Sequence, residues 1–255
     1  MNSPTQDTAP DSLPPDSLAP AGTTEQDILS TPVAPIDPAD APDAVPLRLP
    51  FGVVLINSVA FAFSALLSPY LVIPAGTVGI VATAPSSKRQ FLVWTALSVF
   101  FSTIVPALYV VLQVVRGKIT DVHVMEREQR GGPFVVALVS SLIGAIVLHE
   151  IKAPAIVWCI GVVLFFNGLV MLWITKYWKI SIHVAVLSST VFTALLWIHE
   201  IQAIALLWMI PALMWARIWR GRHTIWQGLA ACTVSGALTY AVVYVIRLLP
   251  TIFAS

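Results

Sequence analysis

Residues 155–175 read AIVWCIGVVLFFNGLVMLWIT and contain no charged side chain. A helix needs about 20 apolar residues to cross the hydrocarbon core of a bilayer, and this run is 21 residues long. Because the bilayer core offers no water to the backbone, a lone apolar segment satisfies its N–H and C=O groups there as a helix. The segment therefore predicts a transmembrane helix.

Six further apolar runs flank this segment. They lie at 51–73, 91–115, 133–148, 182–198, 203–219 and 225–249, and none carries a charge in its middle, which argues against an ion pathway. A short loop rich in proline, glycine and serine is expected after the first run. Charged residues make up 11% of the chain, whereas a soluble domain carries about 25%. We therefore predict an all-α fold, a polytopic transmembrane helix bundle of about six or seven spans over residues 51–255.

The first 50 residues differ from the rest in composition. They hold 11 of the 19 prolines, eight acidic residues, one base (Arg48) and no aromatic residue. A segment with so little to bury cannot offset the entropy that it would lose on ordering. We expect residues 1–50 to form a disordered acidic tail of net charge −7, whereas the remaining chain carries +8.

Basic residues cluster in three loops. With seven spans, the loops 116–132, 176–182 and 217–224 emerge on one side of the membrane and hold nine of the 14 basic residues. These nine are Arg116, Lys118, Arg127, Arg130, Lys176, Lys179, Arg217, Arg220 and Arg222. Cytoplasmic loops are enriched in lysine and arginine, so we expect an integral protein of the plasma (inner) membrane with this basic face and the N-terminus in the cytoplasm. Cations that bind an anion would give the same bias, and that alternative stays open.

Three histidines on the basic face stand close to a cation in the sequence. They are His123, His183 and His223, and Arg217 lies six positions before the last of them. Two imidazoles among cations suit phosphoryl transfer, in which one attacks phosphorus and the other protonates the leaving oxygen. Taken singly, cations such as Arg220 are expected to determine membrane topology only.

At these residues the chain resembles the type-2 phosphatidic acid phosphatase superfamily, membrane lipid phosphatases related to vanadium haloperoxidases. That family carries three motifs, Lys-x6-Arg-Pro, Pro-Ser-Gly-His and Ser-Arg-x5-His-x3-Asp. The third is similar to Ala216-Arg217-x5-His223-x3-Gln227, the second to Ile180-Ser181-Ile182-His183, and the first, loosely, to Lys118 with Arg127 or Arg130 before Pro133. The order of the motifs matches, and the resemblance covers residues 116–249.

The resemblance implies hydrolysis of a lipid phosphate or isoprenoid diphosphate through a phosphohistidine, without a metal or other cofactor. His223 would be the nucleophile and His183 the acid for the leaving group. The implied phosphate-binding residues are Lys118, Arg127, Arg130, Ser181 and Arg217. Membrane lipids are the expected partners, and no nucleic acid is expected.

Two departures from the family pattern bear on activity. Gln227 replaces the aspartate that orients the nucleophilic histidine; a glutamine holds the ring through its carbonyl oxygen but supplies no charge. Ile182 replaces the glycine of the second motif, which restricts the backbone there. Asp121 is a candidate carboxylate partner for His223, whereas the alternative is that the acids of its loop pair with Arg127 and Arg130.

Other functions fit parts of the sequence. A phosphatase-like scaffold, or a protein that binds anionic lipid head groups, needs the basic face but no intact catalytic site. At the opposite face, two His-Glu pairs offer nitrogen and carboxylate ligands for a metal, or simply mark where helices meet water: His149, Glu150, His199 and Glu200. Prenyl transfer is disfavoured because it needs aspartate-rich motifs for magnesium, and no aspartate follows Asp121.

Overall fold

The structure is a computed structural model. It describes residues 50–84, 86–120, 129, 131–198 and 201–253. The predicted tail, apart from Pro50, lies outside this part of the chain. Within the described residues the protein folds into eight main helices and no strand, which confirms the all-α fold.

The helices follow one another with short connections. They are α1 (Phe51–Leu66), α2 (Pro69–Ala82), α3 (Lys88–Val115), α4 (Gly131–Glu150), α5 (Ala155–Tyr177), α6 (Ile182–Trp197), α7 (Met209–Trp219) and α8 (Ile225–Phe253). A helical turn at Ile201–Ala205 and a 3-10 turn at Leu206–Trp208 lead into α7.

The prediction of a short loop after the first apolar run is wrong. In the structure α1 ends at Leu66, and α2 runs on to Ala82 at an angle of 55° to α1. Pro69 occupies the first turn of α2, where proline sacrifices no helical hydrogen bond. A Cβ at Gly76 would collide with Cγ2 of Thr190 in α6. Close packing of α2 on α6 therefore stabilises a helix that its proline and glycine content does not favour.

A π-helical turn at Phe100–Ile104 interrupts α3. The hydroxyl of Ser140 in α4 donates to the carbonyl oxygen of Phe101 in this turn. Gly144 of α4 leaves room for the Phe101 side chain, since a Cβ at Gly144 would come within 2.6 Å of it. Turns of this kind occur frequently at functional sites.

Helix α6 is surrounded by other helices. It packs against α2, α5, α7 and α8, and half of its 16 residues are buried, among them Val184, Leu187 and Val191. The residues at its start are consequently enclosed by neighbouring helix ends.

Four helices are long and apolar enough to cross a membrane: Lys88–Val115, Gly131–Glu150, Ala155–Tyr177 and Ile225–Leu248. The bent pair of α1 and α2 makes a fifth if it forms one span, whereas Ile182–Trp197 and Ala203–Trp219 are apolar but shorter. The described helices thus give four or five full-length spans, where six or seven were predicted, because the two 17-residue runs form helices shorter than a full span. Helices of this kind are those of an integral membrane protein.

Candidate active site

A cavity of about 540 Å³ lies where α6 and α8 begin and α7 ends. Its lining includes His183, Arg217, Arg220, Arg222 and His223. All five are partly exposed. Three arginines around one cavity raise the local concentration of anions, so two of the three sequence motifs meet in a site that favours an anionic ligand.

The turn between α7 and α8 explains the spacing from Arg217 to His223. After α7 ends, Gly221 adopts φ +61°, which glycine does without strain. The N–H of Arg222 donates to the carbonyl of Arg217, and the N–H of Gly221 donates to that of Ile218. These two bonds form a Schellman motif. The chain therefore reverses within a few residues, and the arginine at the end of α7 lies near the histidine before α8.

Gln227 fixes the tautomer of His223. Its Oε1 lies 3.1 Å from the backbone N of Thr224 and 3.1 Å from Nδ1 of His223. The Thr224 N–H can only donate, so Oε1 accepts, and Nδ1 of His223 must then carry a proton that it donates to the same oxygen. The lone pair of the imidazole is left on Nε2. Gln227 thus holds the His223 ring in one orientation through a neutral oxygen, at the position where the family pattern has an aspartate.

The same contacts begin α8. The hydroxyl of Thr224 accepts from the N–H of Gln227 at 3.4 Å while Gln227 accepts from Thr224, which is the reciprocal pattern of a capping box. The Gln227 side chain therefore satisfies one backbone N–H of the helix start besides the imidazole, and the Thr224 hydroxyl satisfies a second. Helix capping therefore holds Gln227 in place beside His223.

The second motif lies at the start of α6. Ser181 precedes the helix, and no side chain caps its first turn. His183 and Ile182 line the cavity, whereas Ser181 is fully buried and does not. Ile182 belongs to the helix, so a glycine-like backbone is not adopted there.

Part of the first motif lies outside the described residues. Lys118 is exposed, and it does not line the cavity. Arg127, Arg130 and Asp121 fall in segments that the structure does not describe, so their predicted roles stay predictions. The ends of that loop are close together, because Thr120 donates to Oε1 of Gln129 through its N–H at 3.0 Å.

The structure adds residues that the sequence prediction did not assign to the site. Arg220 and Arg222 line the cavity with Arg217, although Arg220 was expected to determine topology only. Arg220 also lies 5.0 Å above the ring of Phe61 in α1. Asn167, the lone asparagine of the apolar run 155–175, lines the cavity as well. The sequence signal that could have identified Asn167 as a site residue was its polar side chain in the middle of a predicted span.

The opposite face is built differently. Nδ1 of His149 lies 3.5 Å from Oε1 of Glu150, with both side chains mostly exposed. The His149 ring also packs edge-on against Trp158, at 5.6 Å between centroids. His199 and Glu200 lie outside the described residues, and within these no three His, Cys, Asp or Glu side chains group as metal ligands.

Comparison with protein-family models, with curated proteins and with solved structures gives no match to this chain. The family resemblance therefore rests on the sequence motifs alone.

Proposed function

We propose that this protein is an integral membrane phosphatase that hydrolyses a lipid phosphate or isoprenoid diphosphate through a phosphohistidine. The observation that carries the proposal is the hydrogen bond from Nδ1 of His223 to Oε1 of Gln227. With Nδ1 as the donor, the lone pair of the neutral ring lies on Nε2, the atom that attacks phosphorus in this proposal, and His223 lines a cavity together with three arginines. The sequence motifs support the same roles.

The proposed reaction has two steps. Nε2 of His223 attacks phosphorus, a P–N bond forms, and the bond to the leaving oxygen breaks while His183 donates a proton to that oxygen. Water then attacks the phosphohistidine, His183 takes up its proton, and phosphate leaves. Arg217, Arg220 and Arg222 offset the charge on the phosphate oxygens during both steps.

Phosphate release from a panel of lipid phosphates and isoprenoid diphosphates by the purified protein tests the proposal. We expect release from at least one substrate by wild type and loss of about 10⁶-fold in His223→Ala, as for the nucleophile of a catalytic triad. His149→Ala, at the opposite face, is the matched control. No release from any substrate by wild type would overturn the proposal.

Gln227 favours a second candidate function, that of a protein that binds anionic lipid head groups without hydrolysis. A neutral partner gives no charge stabilisation to a phosphohistidine, whereas the three arginines bind a phosphate regardless. Vesicles of phosphatidylcholine with and without phosphatidic acid separate the two functions. Stable, stoichiometric binding of phosphatidic acid without phosphate release would support this second function over the first.

The proposal includes an orientation in the plasma (inner) membrane with the arginine-lined end in the cytoplasm. Tyr177 is exposed at that end, and Ser87 is exposed before α3. We expect Tyr177→Cys to react with an impermeant thiol reagent only after the cells are opened, and Ser87→Cys to react in intact cells. The reverse pattern would overturn the orientation and leave the proposed reaction untouched.

A further inference from the structure

The largely apolar lining of the cavity also includes polar side chains from α1, α3 and α5. Ser64 from α1, Thr103 from α3 and Asn167 from α5 contribute to it, and Ser64 and Asn167 are only 3% and 5% exposed. The two hydroxyl oxygens and Oδ1 of Asn167 have no hydrogen-bond partner among the residues that the structure describes. Buried polar atoms at membrane depth are costly unless a ligand or water pairs with them.

The side chain of Asn167 determines which chemical group of a ligand can pair with these unpaired oxygens. Its Nδ2 donates to the carbonyl of Val163 at 3.1 Å and to Oγ1 of Thr239 at 3.2 Å. These bonds fix the orientation of the amide, so Oδ1 is left as an acceptor. An acceptor needs a donor, such as a hydroxyl or an amide N–H. A hydrocarbon chain offers neither.

The helices are interrupted near two of these residues, Thr103 and Ser64. Thr103 belongs to the π-helical turn of α3, and Ser64 lies in the last turn of α1, before the 55° bend. Non-helical backbone at membrane depth is tolerated where it is buried in protein or lines a cavity. Ser188 and Ser235 also have unpaired hydroxyls but do not line the cavity. Ser64, Thr103 and Asn167 therefore belong to the wall of the cavity, whereas Ser188 and Ser235 are packed away from it.

Helix geometry gives the depth of this polar region. Asn167 lies ten residues before the end of α5, and Ser141, also in the lining, lies eight residues after Pro133. At 1.5 Å per residue, both are about 12–15 Å from the arginine-lined end. A single elongated amphiphile can reach both regions at once.

We infer that the inner part of the cavity binds a neutral hydrogen-bond donor on the apolar portion of a phosphorylated amphiphile. The inference rests on the proposed function for the placement of the phosphate among Arg217, Arg220 and Arg222. It narrows the substrate class to lipid phosphates that carry a hydroxyl or amide N–H along the chain. An isoprenoid diphosphate, whose chain is hydrocarbon throughout, leaves Oδ1 of Asn167 unpaired.

A matched pair of probes tests the inference by binding alone. Dodecyl phosphate and ω-hydroxydodecyl phosphate differ by one terminal hydroxyl, and titration calorimetry on the full chain in detergent gives the Kd of each. We expect the hydroxylated probe to bind wild type about tenfold more tightly, the value of one hydrogen bond to a buried partner. Equal affinity for the two probes, or no binding of either, would overturn the inference and mean that the inner part of the cavity holds water at most.

Variants of the protein test whether the preference for the hydroxylated probe arises at the inner part of the cavity. Asn167→Leu keeps the side-chain volume but removes the acceptor, so the ratio of the two Kd values falls to about one. Because that change also breaks the bond to Thr239, Thr103→Val serves as a second variant, which loses no protein hydrogen bond and lowers the ratio in the same direction. Ser188→Ala, outside the cavity, keeps the wild-type ratio. A ratio unchanged in both cavity variants would contradict the inference.

Phosphate release is measured separately on both probes. Absence of turnover of these probes and of every substrate in the panel, with a preserved preference, overturns the proposed hydrolysis and leaves the inner subsite supported. Turnover of both probes without a preference supports the hydrolysis and overturns the inner subsite.

Discussion

The two ends of the bundle hold the same residue types in different surroundings. At one end His223 is partly buried, donates to Gln227, and shares a cavity with three arginines. At the other end His149 is mostly exposed and pairs with the carboxylate of its neighbour Glu150. A histidine held in one tautomer beside an arginine-lined cavity suits the attack on phosphorus that we propose, whereas His149 does not line that cavity.

The arginines differ between the ends in the same way. Arg217 lines the cavity at the end of α7. Arg247 donates to the carbonyl of Leu196 and lies 4.6 Å above the ring of Trp197. It therefore satisfies the exposed C-terminus of α6 and stabilises the fold. Removing a side chain should affect activity at the first end and stability at the second.

After the loss of the nucleophile His223, the largest expected effect comes from His183. In His183→Gln the leaving oxygen receives no proton, and we expect kcat to fall about 10³-fold on an alkyl phosphate. An aryl phosphate with a nitrophenol leaving group needs no such proton in the first step, so its loss, measured as nitrophenol released in the first turnover, should be far smaller. His149→Gln should leave both rates unchanged. Equal losses on the two substrates would contradict the role of His183 as an acid.

A smaller effect is expected for Gln227→Glu, which should raise kcat rather than lower it. Gln227→Glu keeps the length and the capping bonds while adding the charge that the family pattern contains. We expect kcat to rise about tenfold, since a hydrogen bond to a charged acceptor is worth about twice a neutral one. Gln227→Leu, which leaves Nδ1 without an acceptor, should lower kcat. A Gln227→Glu variant no faster than wild type would show that charge at this position does not limit the reaction.

Sequence patterns sufficed for much of the fold because apolar runs and charged loops alternate. The helices α3, α4, α5 and α8 follow the predicted runs closely. The helix α2 was not predicted. It is stabilised by close packing of Gly76 against α6, a tertiary effect that local helix propensity does not contain.

The site was predicted in part for a similar reason. The sequence motif contains the spacing from Arg217 to His223. The Schellman turn that brings Arg220 and Arg222 to the cavity depends instead on the path of the chain after α7. Gln227 was expected to hold the His223 ring without supplying a charge, but its capping role was not predicted, although Thr224-x-x-Gln227 is itself a capping-box pattern. The position of Asn167 facing Thr239, 72 residues later, required the folded bundle.

Packing between the two ends gives the third prediction, which concerns stability. A Cβ at Gly161 in α5 would lie 2.6 Å from the carbonyl oxygen of Ser141 in α4, which cannot rotate away. We expect Gly161→Ala to lower the free energy of unfolding by about 1–3 kcal/mol, measured as a lower Tm in detergent. Gly79→Ala is the control, because a Cβ there meets nothing within 4 Å. A Tm as high as that of the control would show that the two helices are not in close contact.

The smallest effect distinguishes Arg247 from the arginines of the cavity. Arg247→Gln loses the bond to Leu196 and the contact with Trp197, and we expect the free energy of unfolding to fall by about 1 kcal/mol. Phosphate release per folded molecule should not change, because Arg247 does not line the cavity. Arg217→Gln should show the converse, slower release with nearly unchanged Tm. Slower release in Arg247→Gln at a temperature where it is fully folded would mean that the two ends are coupled and that their separation into a catalytic and a structural end is wrong.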